Sequence, residues 1–326
     1  MCPREFISHD GSPMPESKRL KTEQTYIDSG VEEYADLETS DEKRDQYYSL
    51  IKNAFSKIDL NKVRYIFEKI GERCGIKAKD LNFLKLDRIT LTLNNKTQEG
   101  GDLLGIYHPL SNRIALSARG ILKDAWVLTD HPKEEKGIVI NRDALEISTL
   151  AKFIHEQIHA ISYTRIEESN ENASIEKNNI FIQILNFVRE QPASLFKSVK
   201  SGYAENKSEN NVPKGEVKYT KNYEVFDEAV TEKLSLEILR EYLQQVSLEN
   251  LKHNQIENFI DRLEKESHYS EYIKLLNYII ESISRTTKIS ERDVWQAIVR
   301  GKLEGVNMDD PEIKEFYWQI SDQKNI

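Results

Sequence analysis

Apolar residues begin to recur with helical spacing near Asp45. Tyr47, Leu50, Ile51, Ala54, Phe55 and Ile58 share one face, which predicts a first helix. Val63, Ile66, Phe67 and Ile70 predict a second, with Gly71 and Gly75 near its end. The period then shortens to two. Ile89, Leu91 and Leu93 alternate with Thr90 and Thr92, the pattern of a half-buried strand, and Asn94-Asn95 and Gly100-Gly101 mark the turn after it. Segments 104–107 and 113–117 predict two more short strands joined around Pro109, and 138–140 a fourth.

Helical spacing returns at Asp143, where Asp143 and Glu146 have capping-box form. Leu145, Leu150, Phe153, Ile154, Ile158 and Ile161 supply the buried face of this helix. The stretch from about 167 to 220 reads as an insertion. It predicts one helix over 175–190, ended by Pro192, and then a polar run over 202–218 with the composition of a mobile loop. Phe226, Ala229, Val230, Leu234 and Ile238 predict a helix over 223–243. Beyond it every periodic segment is helical: 248–265, 271–284, 291–303 and 311–320. No solenoid repeat, Gly-rich phosphate loop or sustained heptad register interrupts this order.

These elements predict an α+β fold: a short, mostly antiparallel sheet and one central helix, followed by a largely helical second half. Residues 1–42 are rich in Ser, Pro, Glu and Asp without periodicity and are expected to form a disordered tail. Residues 43–243 then form the domain that carries the chemistry, with its insertion, and 244–326 a helical C-terminal subdomain. A chain of 326 residues is long enough for a sizeable core.

Charge narrows the class of partner. Basic residues are interspersed with acidic ones and the net charge is −9, which disfavours nucleic acid. No apolar run reaches the eighteen or so residues of a membrane span, and the polar N-terminus has no signal-peptide core. The two cysteines, Cys2 and Cys74, do not suggest a disulfide framework, so a reducing cytoplasm is expected. Oligomeric state is not legible from these patterns.

The chemistry enters with five residues in the central helix, His155-Glu156-Gln157-Ile158-His159. Histidines four apart project from one helix face and can share a Zn²⁺ ion, with the intervening Glu156 as general base. With seven histidines in the chain, chance produces H-E-x-x-H in roughly one or two sequences in a hundred. A catalytic zinc needs a third protein ligand and an open position for water. A third histidine in the extended H-E-x-x-H-x-x-G-x-x-H form is excluded, because Ser162 and Arg165 occupy the corresponding positions. A carboxylate on a later helix fits better. In Phe226-Asp227-Glu228-Ala229-Val230-Thr231-Glu232, Glu228 and Glu232 share a face: Glu228 is the candidate ligand, and Glu232 the candidate acceptor of a hydrogen bond from a ligand histidine. Asp227 is the nearest rival for either role, with Glu224 behind it.

This two-helix pattern resembles the gluzincin metallopeptidases, a zincin-fold group that pairs H-E-x-x-H with a Glu on a second helix. The resemblance extends upstream. Gly105-Ile106-Tyr107 followed by Arg113-Ile114-Ala115-Leu116-Ser117 is similar to the strand pair preceding the motif helix in small zincin domains, and the likeness covers roughly residues 85–243. It implies a zincin-like fold in which one strand forms the cleft edge and pairs with an extended peptide. The expected reaction is hydrolysis of peptide bonds, in a peptide or protein substrate, by water activated on one zinc ion. Glu156 takes the proton and delivers it to the leaving amine. The oxyanion needs a further donor, for which Tyr223, five residues before Glu228, and Tyr163, His108 and Tyr107 are candidates. Two alternatives stay open: a non-catalytic zincin-fold binding or regulatory module, and a latent, self-processing peptidase.

Overall fold

The computed structural model describes residues 4–8, 10–28, 41–92, 95–96, 102–127, 142–168, 196–209, 218–246, 253–266 and 269–305. Strand β1 (Arg4–Ile7) and helix α1 (Glu16–Asp28) come first, then helices α2 (Asp41–Ser56) and α3 (Leu60–Arg73). Next are strands β2 (Ile89–Thr92), β3 (Asn95–Lys96), β4 (Asp102–Leu103), β5 (Gly105–His108) and β6 (Arg113–Ser117), and α4 (Ala118–Val127) continues directly from β6. Helix α5 (Arg142–Ile161) carries the H-E-x-x-H segment. After it come β7 (Thr164–Glu168), β8 (Phe196–Ser201), β9 (Ala204–Glu209) and β10 (Lys218–Asn222). The rest is helical: α6 (Glu224–Gln245), α7 (His253–Glu266), α8 (Ser270–Thr287) and α9 (Glu291–Glu304). The chain is mixed α+β, and among the described residues no helix is long and apolar enough to cross a membrane.

Besides the antiparallel pair of β3 and β4, the described strands form two sheets, of three and five strands. In the smaller, β6 is central: β2 pairs with it in parallel and β5 antiparallel, leaving β5 as an edge. In the larger, ordered β1-β7-β8-β9-β10, β1 is parallel to β7 and the remaining pairs are antiparallel. Helix α5 packs on β5 and β6, and also against α2, α4 and α6. Enclosed by so many partners, it is apolar on more than one face, as a core helix should be. Phe153, Ile154 and Ile158 are fully buried. Each contributes about 1.5–3 kcal/mol by leaving water. Phe153 also meets Phe55 and Phe83 edge-on, with ring centroids 5.3 and 6.3 Å away.

The helices expected over 223–243, 271–284 and 291–303 correspond to α6, α8 and α9, and the strand expected over 113–117 is β6. Other expectations are corrected. The N-terminal stretch is not wholly disordered, because β1 takes its main-chain partners from β7 and the buried Arg4 guanidinium is paired with Glu23 of α1 at 2.7 Å. The polar run at 202–218 is not simply a loop, because residues 204–209 form β9 between β8 and β10. Helix α4 has no counterpart in the expected elements. The strand expected over 138–140 and the helices over 175–190 and 311–320 lie outside the described residues.

Candidate metal centre

Helices α5 and α6 pack in opposite directions. Moving up α5 from Ala151 to His155 to His159 meets Ser235, then Glu232, then Asp227 on α6. Each helix therefore offers one face, with side chains one turn apart, to the other. That packing places His155, His159 and Glu228 in a single cluster, the one His/Cys/Asp/Glu trio among the described residues able to hold a metal ion.

The geometry within the cluster is tight. His155 Nε2 lies 3.3 Å from His159 Nε2 and 3.3 Å from Glu228 Oε2, and His159 Nε2 lies 3.5 Å from Glu228 Oε1. Both imidazoles thus present Nε2 inward. Their outer nitrogens are backed by carboxylates. His155 Nδ1 is 2.8 Å from Glu232 Oε2, and His159 Nδ1 is 3.5 Å from Asp227 Oδ2. A proton held on each Nδ1 leaves an inward lone pair on each Nε2, the tautomer a metal ligand requires. Glu228 Oε2 is shielded from solvent yet makes no well-aligned hydrogen bond. Two opposed ring nitrogens and an unsatisfied carboxylate oxygen are what a cation between them would resolve.

The electrostatics are those of a crowded site in which imidazole and carboxylate charges depend on one another. Burial opposes charge on Glu228, but the adjacent His159 and His155 hold its carboxyl well below the usual range. Burial likewise opposes charge on His155, yet the adjacent carboxylates of Glu228 and Glu232 and the charge of Glu156 push its imidazole up to about 10. Glu156 points elsewhere. Its side chain lies against the backbone of Gly105 on β5, so close that a Cβ at 105 would stand 2.8 Å from Glu156 Cγ and 2.9 Å from Oε1. Burial, helped by the charge of Glu228, lifts the Glu156 carboxyl above the ordinary value against the pull of His155, His159 and Lys152.

Of the residues singled out in the sequence, His155, His159 and Glu228 are brought together, with Glu232 and Asp227 on the outer ring nitrogens, while the Glu156 side chain lies against Gly105. Tyr223 immediately precedes α6 in a left-handed conformation. It lines an apolar groove of about 310 Å³ with Phe226, Tyr272 and Leu276, among others. Tyr163 donates its hydroxyl to Glu5, and Tyr107 to Asn112. The tyrosine at the cluster is Tyr269, which sequence reasoning does not select. Its ring stacks on His155 at 6.1 Å and 16°, and its hydroxyl is hydrogen-bonded to Glu228. Burial and the nearby charges of Glu228, Glu156 and Glu232 raise the phenol far above its ordinary value and keep it a neutral donor. It lies just before α8 and carries no periodic signal, so nothing in the local pattern could have found it. In sequence Gly105 is only part of a strand; its close approach to Glu156 is a fact of packing.

No protein-family model matches the chain, and no curated protein or solved structure matches it at significance.

Proposed function

We propose that this protein is a zinc-dependent metallopeptidase of the gluzincin type, with a zincin-like core. The observation that carries the reading is the set of ligand-atom spacings. Zinc holds nitrogen and carboxylate ligands at about 2.0–2.2 Å, which puts tetrahedral neighbours about 3.3–3.5 Å apart. Here the two ring nitrogens are 3.3 Å apart, and each has a Glu228 oxygen near it, Oε2 at 3.3 Å from His155 and Oε1 at 3.5 Å from His159; taking one ligand atom from each residue, all three lie within 4.8 Å of one another. Three protein ligands leave the fourth position open, the mark of a catalytic site rather than a structural one. When bound, zinc supplies Lewis-acid chemistry, polarising a carbonyl and making a water reactive near neutral pH.

The chain's own residues supply the rest. Glu156, buried and raised, is suited to take a proton from water and pass it to the leaving amine nitrogen. Tyr269, rather than Tyr223, can donate its hydroxyl to the developing oxyanion. Glu232 holds His155 in place, and the edge strand β5 offers main-chain groups to an extended peptide beside Glu156. The test is Glu156→Gln in full-length protein with measured zinc content, assayed on a mixed peptide library. Zinc should stay near one per chain while cleavage falls by at least about 10²-fold. Undiminished cleavage would refute the assigned role.

A further inference from the structure

The C-terminal helix α9 sends a lysine into the core. Lys302 is fully buried and its Nζ lies 2.5 Å from Asp227 Oδ1. The backbone N–H of Tyr203 donates to the same oxygen at 2.7 Å. With Oδ1 taken twice, Asp227 turns Oδ2 toward His159 Nδ1, 3.5 Å away. A relay therefore runs from α9 to α6 to the H-E-x-x-H helix, ending on one of the two inward-facing histidines.

The surroundings are built to fit it. Gly202, at φ +59°, has no room for a side chain: a Cβ there would come within 2.3 Å of Asp227 Oδ1 and 2.8 Å of Lys302 Nζ. The Lys302 carbonyl accepts from the Tyr163 N–H at 3.2 Å, and the Tyr163 carbonyl accepts from Gly202 N–H at 2.8 Å. Gly305, just past the helix, leaves space that the Tyr163 ring occupies. Side chain and backbone of α9 are thus both tied to residues that come after the motif helix. A buried ion pair is weak evidence of a stability role, because desolvation offsets most of its attraction. Orientation of the groups around it is a role such a pair can serve.

We propose that Lys302 is a positioning residue of the metal centre: through Asp227 it fixes the ring of His159 so that Nε2 faces the other ligands. The C-terminal helices are on this view part of the site rather than an appendage. The inference rests on the reading of His155, His159 and Glu228 as a metal site. In sequence, the signal was a lysine within the apolar stripe of Val294, Trp295, Ile298 and Val299.

The experiment compares full-length wild type, Lys302→Met and the double variant Lys302→Met/Asp227→Asn. The double variant removes both charges, so that neither is left buried alone. Folding is monitored by thermal melts without metal. Zinc affinity is measured by competition with a chromophoric chelator, and site geometry by the visible spectrum of the cobalt(II)-loaded protein. For each folded variant, zinc affinity should fall about 10–100-fold, as when a residue supporting a ligand histidine is lost, and the cobalt bands should change in intensity. Wild-type affinity and an unchanged cobalt spectrum in a folded variant would overturn the proposal while leaving the metal site standing. Failure of both variants to fold even with zinc would make Lys302 a core residue only and overturn it too. No zinc binding by wild type would overturn the metal reading, and this proposal with it.

Discussion

Gly105→Ala is the sharpest probe of how the fold serves the chemistry. The added methyl would sit 2.8 Å from Glu156 Cγ, where ordinary contact begins near 3.4 Å. The glutamate must therefore retreat by about 0.6 Å, and its flexible side chain is what gives. Misplacing a catalytic group by about 1 Å can cost on the order of 10²-fold in rate. The expected loss in kcat is about 10- to 100-fold, or about 1.4–2.7 kcal/mol of barrier. Zinc content should not change, because the atoms that crowd position 105 belong to Glu156 and not to a ligand. Stability should change by less than about 1 kcal/mol, since alanine also restricts the unfolded chain. The assay is single-substrate kinetics at full zinc loading, using a peptide chosen from the library screen, beside a denaturant titration. Because both changes act through one carboxylate, Gly105→Ala added to Glu156→Gln should cost little more than Glu156→Gln alone. A fully metal-loaded Gly105→Ala protein with kcat within twofold of wild type would refute the reasoning.

Tyr269→Phe keeps the ring on His155 and removes only the hydroxyl. It should lower kcat by about 10²-fold or more with zinc affinity little changed, and an unaltered kcat would remove Tyr269 from the proposed chemistry. Cys74 is buried at the end of α3, and burial, with the charge of Glu237, pushes its thiol up to about 11 from an ordinary 9.0. Native Cys74 should resist a thiol reagent at pH 8 and react once denatured. Since the unfolded thiol loses its proton first, wild type should also lose stability between about pH 9 and 11 more steeply than Cys74→Ala, as read by denaturant titration.

Legibility in the sequence depends on the range of interaction. His155 and His159 declare themselves because a helix fixes the relation of residues four apart, and Glu228 and Glu232 repeat the device on a second helix. Strand β6 was legible because the turn around Pro109 that bounds it is local; its residues after Arg113 are all buried and do not alternate. β1 was not: Arg4-Glu5-Phe6-Ile7 is too short to show a period, and its hydrogen bonds come from Thr164 to Glu167, far along the chain. β9 was missed for the same reason. Ala204-Glu205-Asn206-Lys207-Ser208-Glu209 has no apolar alternation and is a strand because of what flanks it. Tyr269 reaches His155 only through the packing of α8 on α6.

Buried charge was the signal read least. Glu156, Asp227 and Glu232 are each under a tenth exposed, and Glu228 joins them at the cluster. Each ionised carboxylate removed from water costs several kcal/mol unless it is paired. Lys302 compensates one of them directly, and Lys152 feels the charges of Asp124, Glu232 and Glu156. Two lysines face more carboxylates than they can neutralise, which leaves negative charge in excess around two histidines whose inner nitrogens face each other. Protonating His155 relieves part of that excess, which is why its imidazole is driven upward. A divalent cation would relieve it without placing protons between the ring nitrogens. The charge balance is thus a second argument for the proposed metal, added to the spacing that brings the two ring nitrogens together.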